Sequence, residues 1–209
     1  MGGSKAVIAA VVLAIAGGAA YYLYVEKQKK EQQRVVHALL GDTTAQLRKA
    51  LSAPPDAELV ARLDSNLKAA KAPRDRPLAE AATHYIQDAR EIARQRGSAE
   101  RWEREAAKSR RALVMHMGAA SGRDTYWIRV ATDLKRRVER DHQELDVSLK
   151  TLAHLLFTLP EAQKELAPHV EAALLLDDAE RRKARAEVET ASKRAHDELE
   201  KVRRLALPR

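Results

Sequence analysis

The chain has 209 residues, of which 33% are charged and only 4% are aromatic, and its formal net charge is +8. The absence of cysteine excludes disulfide bonds, thiolate metal sites and a cysteine nucleophile. The positive charge indicates acidic partners or an anionic membrane surface, without distinguishing between them. Long segments rich in Ala, Leu, Glu, Lys and Arg are separated by a few prolines, which favours long helices and an all-α fold.

The first element is an apolar run from Ala6 to Val25 that contains no charged side chain. As a helix its twenty residues rise about 30 Å, which matches the hydrocarbon core of a bilayer. The run therefore predicts a single transmembrane helix, with residues 1–25 as an N-terminal anchor. A cleaved signal peptide is the alternative, with small-residue cleavage sites at residues 14–16 or 18–20. We favour the anchor because the apolar run continues past both sites.

Aromatic and basic residues follow the apolar run directly. The aromatic residues, which we expect at the membrane interface, are Tyr21, Tyr22 and Tyr24. The basic residues, which we expect to contact anionic lipid headgroups, are Lys27, Lys29, Lys30 and Arg34. Only Lys5 and the terminal amine stand before the run, so the positive-inside rule predicts a cytoplasmic C-terminal domain, with a periplasmic orientation as the alternative. The Ala- and Arg-rich composition is typical of bacteria with GC-rich genomes, so the expected location is a bacterial inner membrane.

The segment after the anchor predicts a basic stalk helix over residues 26–53, which the sequence Gly41 to Thr44 could interrupt because Asp42 or Thr43 is a good helix cap. The dipeptide at residues 54–55, Pro-Pro, ends this helix. Asp56 is a candidate cap for a short helix to about Lys71, so residues 54–76 are predicted to form a short helix and a connector.

The remaining residues, 77–209, predict an elongated antiparallel bundle of long helices that resembles a coiled-coil rod. The predicted helices are residues 77–118, 124–159 and 168–206. An apolar stripe passes through Gly97 at steps of three and four residues, so we expect one continuous helix there. The sequence from Ser121 to Asp124 predicts the turn to the second helix. Pro160 predicts its end, and Pro168 the first turn of the third.

The second predicted helix carries the most regular heptad pattern of the chain, with apolar and small residues at alternating steps of three and four. The residues of this seam that we expect to pack against other helices are Trp127, Leu134, Val138, Asp141, Leu145, Leu152, Leu155 and Leu159. Leu149, Leu156 and Phe157 widen the stripe, which predicts packing against more than one helix. The same stripe can pack between chains as well as within one, so a homo-oligomer is an open alternative.

The sequence of this bundle contains only weak evidence for a metal site or a catalytic site. Glu139-x-x-His142 has the spacing of a carboxylate-histidine element of di-iron bundles, but such sites need a second element that the sequence lacks. We therefore expect Asp141 to set helix register as a polar seam residue, with no metal and no cofactor. No phosphate-binding loop, zinc-binding His-Glu-x-x-His or serine nucleophile motif occurs, so no residue points to catalysis.

Nucleic-acid binding is also disfavoured. Basic runs such as Lys135-Arg136-Arg137 are interleaved with acidic residues at helical spacing, which is typical of solvated faces with ion pairs. Aromatic residues for base stacking are scarce.

These features predict a membrane-anchored, non-enzymatic helical scaffold or adaptor that presents a bundle surface to protein partners. The alternative is an extracytoplasmic helical sensor or ligand-binding bundle, with polar seam residues such as Asp141 near an internal pocket. The alternative requires the opposite membrane topology. An enzyme or metal protein is a third hypothesis, which the missing motifs disfavour.

Overall fold

The structure, a computed structural model, describes residues 3–71, 76–119 and 125–205, with side chains in the first helix from Tyr21 onward. Its helices are α1 (Gly3–Ser52), α2 (Ala57–Ala70), α3 (Arg76–Gly118), α4 (Thr125–Leu166) and α5 (Asp178–Arg203), with a single 3₁₀ turn at Ala172–Leu174. The described residues contain no strand, so the predicted all-α helical bundle is confirmed at this level.

Among the residues that the structure describes, no helix has both the length and the apolar character that crossing a membrane requires. The predicted anchor, Ala6 to Val25, lies for its larger part outside the described side chains, which begin at Tyr21.

The long helices lie side by side and form a bundle with two distinct ends. Helices α3, α4 and α5 run along its length. Helix α4 is antiparallel to α3, since Glu165 contacts His84 and Trp127 contacts His116. It is also antiparallel to α5, since Leu156 contacts Arg181 and Lys135 contacts Arg203. Helices α3 and α5 therefore point the same way. The second half of α1 runs parallel to the first half of α3, and α2 folds back beside them. We call the end that contains α1 and α2 the base, and the end where α3 stops and α4 begins the tip. With 43 residues in α3, base and tip are about 65 Å apart.

The largest hydrophobic core lies at the base. Tyr85, Ile86 and Ile92 of α3 are fully buried there, as are Leu152, Leu156 and Leu159 of α4 and Val36, Leu40 and Leu47 of α1. The tip has a smaller cluster around Leu113, Val138 and Val202. The predicted stalk, residues 26–53, is thus not separate from the bundle over its second half, because α1 is covered there by α2, α3 and the turn at Ala172–Leu174.

Of the two alternatives for Gly41 to Thr44, the structure has the unbroken helix, since α1 continues through this sequence to Ser52. Instead of capping a helix, the carboxylate of Asp42 accepts hydrogen bonds from Asn66 and Arg62 of α2 at 2.8 and 3.1 Å. Partial burial alone would raise the pKa of Asp42, but hydrogen bonds from Asn66, Gln46 and Arg62 outweigh it and hold this pKa below its usual value.

Two boundary predictions are confirmed. Asp56 is the N-cap of α2, where its carboxylate accepts a hydrogen bond of 2.7 Å from the backbone N–H of Leu59. Helix α3 continues through Gly97 without a break. The predicted turn at Ser121 to Asp124 and residues 72–75 of the connector lie outside the described residues.

The predicted end of α4 at Pro160 was wrong, because the helix includes Pro160 and continues to Leu166. Proline leaves the carbonyl four residues before it without its helical N–H donor. That carbonyl, of Leu156, accepts a hydrogen bond of 3.2 Å from the guanidinium of Arg181 on α5 instead. A side chain from another helix therefore replaces the missing backbone donor.

The predicted third bundle helix, residues 168–206, was also wrong at its start, since α5 begins only at Asp178. Residues 167–177 cross the base as an irregular segment with the 3₁₀ turn, and Leu175 and Leu176 are buried in the core. Pro168 lies in the turn after α4 and begins no helix. The predicted stripe residue Phe157 is 57% exposed, with the guanidinium of Arg185 stacked 4.8 Å from its ring, so it does not widen the packed face.

Candidate membrane-facing site and polar seam

Helix α1 leaves the bundle with a group of exposed aromatic and apolar side chains. Tyr21, Tyr22, Leu23 and Tyr24 are each more than 60% exposed. At about 100° per residue, the three tyrosines lie within an arc of about 160°, and Leu23 lies on the opposite side, so the four exposed side chains together surround the helix. Apolar side chains on all sides suit a helix that crosses an interface steeply, whereas a helix that lies flat on a membrane carries them on one face.

The four predicted headgroup-binding residues are exposed on the next three turns of α1. Lys27, Lys30 and Arg34 share one face at spacings of three and four, and Lys29 lies opposite. Lys30 forms an ion pair of 2.9 Å with Glu26 on the same helix. Because the rise is 1.5 Å per residue, Arg34 lies about 15 Å beyond Tyr24 along the helix axis.

The buried second half of α1 is joined to the core by a hydrogen-bonded network at Tyr85. The Oγ1 of Thr44 lies 2.8 Å from the phenol oxygen of Tyr85 and donates to the carbonyl oxygen of Leu174 at 2.7 Å. The backbone N–H of Leu176 donates to the same phenol oxygen at 3.1 Å. Since the Thr44 hydroxyl has a single proton, Tyr85 must donate to Thr44. Burial raises the pKa of Tyr85, which keeps its phenol protonated as this donation requires.

The predicted seam lies on the packed face of α4. Trp127, Val138, Asp141, Leu145, Leu152 and Leu159 are buried, and Leu134 and Leu155 are partly buried. At the tip, Trp127 stacks on His116 with ring centroids 5.0 Å apart and donates its indole N–H to the His116 carbonyl at 3.2 Å. The seam thus joins α4 to α3 along the bundle.

Asp141, which we predicted to set register, has its ionic partners on its own helix. Its carboxylate is 1% exposed and lies 3.2 Å from the guanidinium of Arg140 and 3.9 Å from that of Arg137. A side-chain hydrogen bond between α4 and α5 is made by another residue, Asp146, which accepts it from Ser192 at 2.9 Å. Sequence reasoning missed Asp146 because it lies one position after the seam residue Leu145. The signal that could have found it is a second polar position directly beside the stripe.

Glu139 and His142, the candidate carboxylate-histidine pair, lie in different surroundings. No group of three or more potential ligands among the described residues is placed to hold a metal ion. Glu139 instead lies 4.0 Å from Lys135 of its own helix. His142 is buried, with 6% of its surface exposed, and faces a cleft between α3, α4 and α5.

Comparisons with known proteins add no family to this geometry, since no protein family, curated protein or solved structure matches the chain.

Proposed function

We propose that the chain is a membrane-tethered, non-enzymatic helical scaffold in a bacterial inner membrane. In this proposal residues 6–25 cross the bilayer once, and the bundle stands on the cytoplasmic side, where its tip contacts partner proteins. The observation that carries it is the exposure of Tyr21, Tyr22, Leu23 and Tyr24 where α1 leaves the bundle. Exposed aromatic side chains adjoining an apolar sequence of bilayer length are what a membrane interface covers.

The continuity of α1 supports a tether that fixes the bundle relative to the membrane. The helix is unbroken from Gly3 to Ser52, and its second half is part of the base core through Val36, Leu40 and Leu47. About 18 Å of exposed helix separates Tyr24 from Val36, so the base would stand just outside the headgroup layer.

The basic residues of α1 support attraction to anionic lipid. Lys27, Lys29, Lys30 and Arg34 are exposed, and each cation near an anionic surface contributes about 1 kcal/mol of attraction. Their number also favours the cytoplasmic side for the bundle.

The tip supports contact with protein partners. Val114 and Met115 of α3 are 63% and 69% exposed, and Tyr126 of α4 is 74% exposed. Apolar side chains clustered at the end far from the membrane are suited to bind a partner, including a second copy of the chain.

Membrane attachment is tested by alkaline extraction of membranes from cells that produce the full chain. We expect the chain to stay in the membrane fraction, and a Val11→Lys/Ile15→Lys double variant to become extractable because two charges in the apolar run oppose insertion. A Gln28→Lys/Gln32→Lys variant, which adds the same charge outside the run, is the control and should remain in the membrane. Extraction of the unaltered chain would contradict the tether.

Topology and partner contact need separate measurements. A cytoplasm-active reporter fused after Arg209 should be active and a periplasm-active one silent.

A photo-crosslinking residue at Met115 should capture a discrete protein, and the same residue at Lys108, a more central and exposed position on α3, should not. No adduct at Met115, or the same adducts at both positions, would contradict the scaffold role of the tip.

A further inference from the structure

A cleft of about 250 Å³ opens between α3, α4 and α5, beyond the point where α1 and α2 end. Its apolar lining includes Ala99 and Ala106 of α3, Leu145 and Leu149 of α4, and Ala195 of α5. The three alanines are buried, but their side chains are too short to fill the space that leucine fills elsewhere in the core. The cleft therefore arises from small residues at packed positions of otherwise regular helices.

His142 gives this cleft an unsatisfied polar group. The residue is 6% exposed and lines the cleft, and neither of its ring nitrogens has a hydrogen-bond partner among the described residues. Buried polar atoms are almost always hydrogen-bonded, so two unpartnered nitrogens on one buried ring are a cost to the fold that a molecule bound against this wall of the cleft would relieve. Burial lowers the pKa of His142, which leaves a neutral imidazole with one donor and one acceptor.

The charged side chains at the rim favour an anion. Arg96, Arg110 and Arg194 line the cleft together with Glu103 and Glu198, so positive side chains are in excess. Glu198 is paired with Arg110 at 2.5 Å and with Lys201 at 2.7 Å. Among the described residues, Arg96, Arg194 and Glu103 have no hydrogen-bond or ion-pair partner, so two available guanidinium groups stand against one unpaired carboxylate.

We propose that this cleft binds a small amphipathic carboxylate, with its apolar body against the alanines and leucines and its carboxylate between Arg96 and Arg194, within reach of the His142 imidazole. The apolar lining excludes a free phosphate as a good fit, because such an ion has no apolar surface to bury. The volume corresponds to about eight water-sized groups, which suits a short-chain acid rather than a long-chain lipid. The site lies in the bundle itself and does not depend on which side of the membrane the bundle occupies.

The probe for this site is hexanoate, whose eight non-hydrogen atoms match the cleft, added to the purified full chain in detergent micelles. The readout is the imidazole ¹H–¹⁵N spectrum, with the His142 signal assigned from its loss in His142→Gln. We expect hexanoate to shift the His142 signal saturably, and hexanamide and hexylammonium, which have the same chain without the negative charge, to have at least tenfold weaker effects. A shift that does not saturate, no shift, or equal effects of the three compounds would overturn the proposal.

Variants at the rim test the assigned contacts. Arg96→Ala and Arg194→Ala should each weaken hexanoate binding by about tenfold, since each removes a charge-assisted hydrogen bond. Arg111→Ala, an exposed position on α3 outside the cleft lining, is the matched control and should bind hexanoate as the unaltered chain does. Helical circular dichroism shows that the variants fold. Unchanged affinity in both rim variants would contradict the assignment.

Discussion

The guanidinium of Arg181 on α5 donates a hydrogen bond of 3.2 Å to the carbonyl oxygen of Leu156 on α4. That carbonyl lies four residues before Pro160, which has no N–H to donate to it. Arg181 is held in place by an ion pair of 2.8 Å with Asp178, and only 11% of its side chain is exposed. The proline in α4 is thus compatible with a continuous helix because α5 supplies the donor.

This relationship predicts that Arg181→Met lowers the free energy of unfolding by about 1–3 kcal/mol, since it leaves the Leu156 carbonyl partly buried without a donor. In a Pro160→Ala background the same change should cost about 1 kcal/mol less, because the backbone N–H of the introduced alanine can then donate to Leu156. Chemical denaturation of the full chain gives the double-mutant cycle. Arg182→Ala, on the exposed face of α5, is the control and should cost less than about 0.5 kcal/mol. A coupling near zero would show that Arg181 does not act through this carbonyl.

We expect the hydrogen bonds of Tyr85 to stabilise the packing of α1 against the bundle. Tyr85→Phe removes the donor to Thr44 and the acceptor of the Leu176 N–H, both buried. We expect a loss of about 1–3 kcal/mol in the free energy of unfolding and faster hydrogen exchange of α1 amides around Thr44. Tyr126→Phe, at a position 74% exposed, should have an effect within about 0.5 kcal/mol. Equal stability of the two variants would refute the network.

We expect that replacing Gly97 by alanine stabilises the folded chain. A methyl group at this position would lie 3.5 Å from the Cγ of Pro55, an ordinary van der Waals contact. Gly97→Ala should therefore raise the free energy of unfolding by about 0.5–1 kcal/mol, because alanine loses less backbone entropy in a helix. Gly118→Ala, at the last residue of α3, should gain less. A decrease in stability for Gly97→Ala would mean that the contact with Pro55 has no room for a methyl group.

Because His142 is buried, we expect the folded chain to lose stability in mild acid. Burial lowers its pKa in the folded chain below 6.5, with the charges of Glu198, Arg110 and Asp141 acting around it. The unfolded chain therefore binds a proton to this residue more readily, and its contribution to stability falls as the pH decreases through 6.5 toward the folded pKa. His142→Gln should remove this part of the dependence when free energies of unfolding are compared between about pH 7.5 and about pH 5.5. His196→Gln, on the exposed face of α5, is the control and should retain it. An unchanged pH dependence in His142→Gln would rule out the effect.

Local sequence patterns predicted the structure correctly where that structure depends on residues within a single helix. The Asp56 cap and the stripe through Gly97 were predicted because capping and amphipathic periodicity act within a few residues of the chain. The same reasoning failed at Pro160 and at Pro168. At Pro160 a donor from α5 compensates for the proline, and at Pro168 the leucines that follow are buried as an irregular segment against α1 and α3.

For the candidate sites too, some features could be predicted from the sequence and others depended on the tertiary structure. The sequence by itself determined the helical class, the apolar run with its tyrosines and lysines, and the burial of most seam residues, because composition and periodicity are properties of the chain alone. Only the tertiary structure decided that α1 becomes part of the base core, that Asp146 is hydrogen-bonded to α5, and that Arg96, His142 and Arg194 border one cleft. These residues are far apart in sequence, and their proximity depends on which helices run parallel and at what register, which no local pattern specifies.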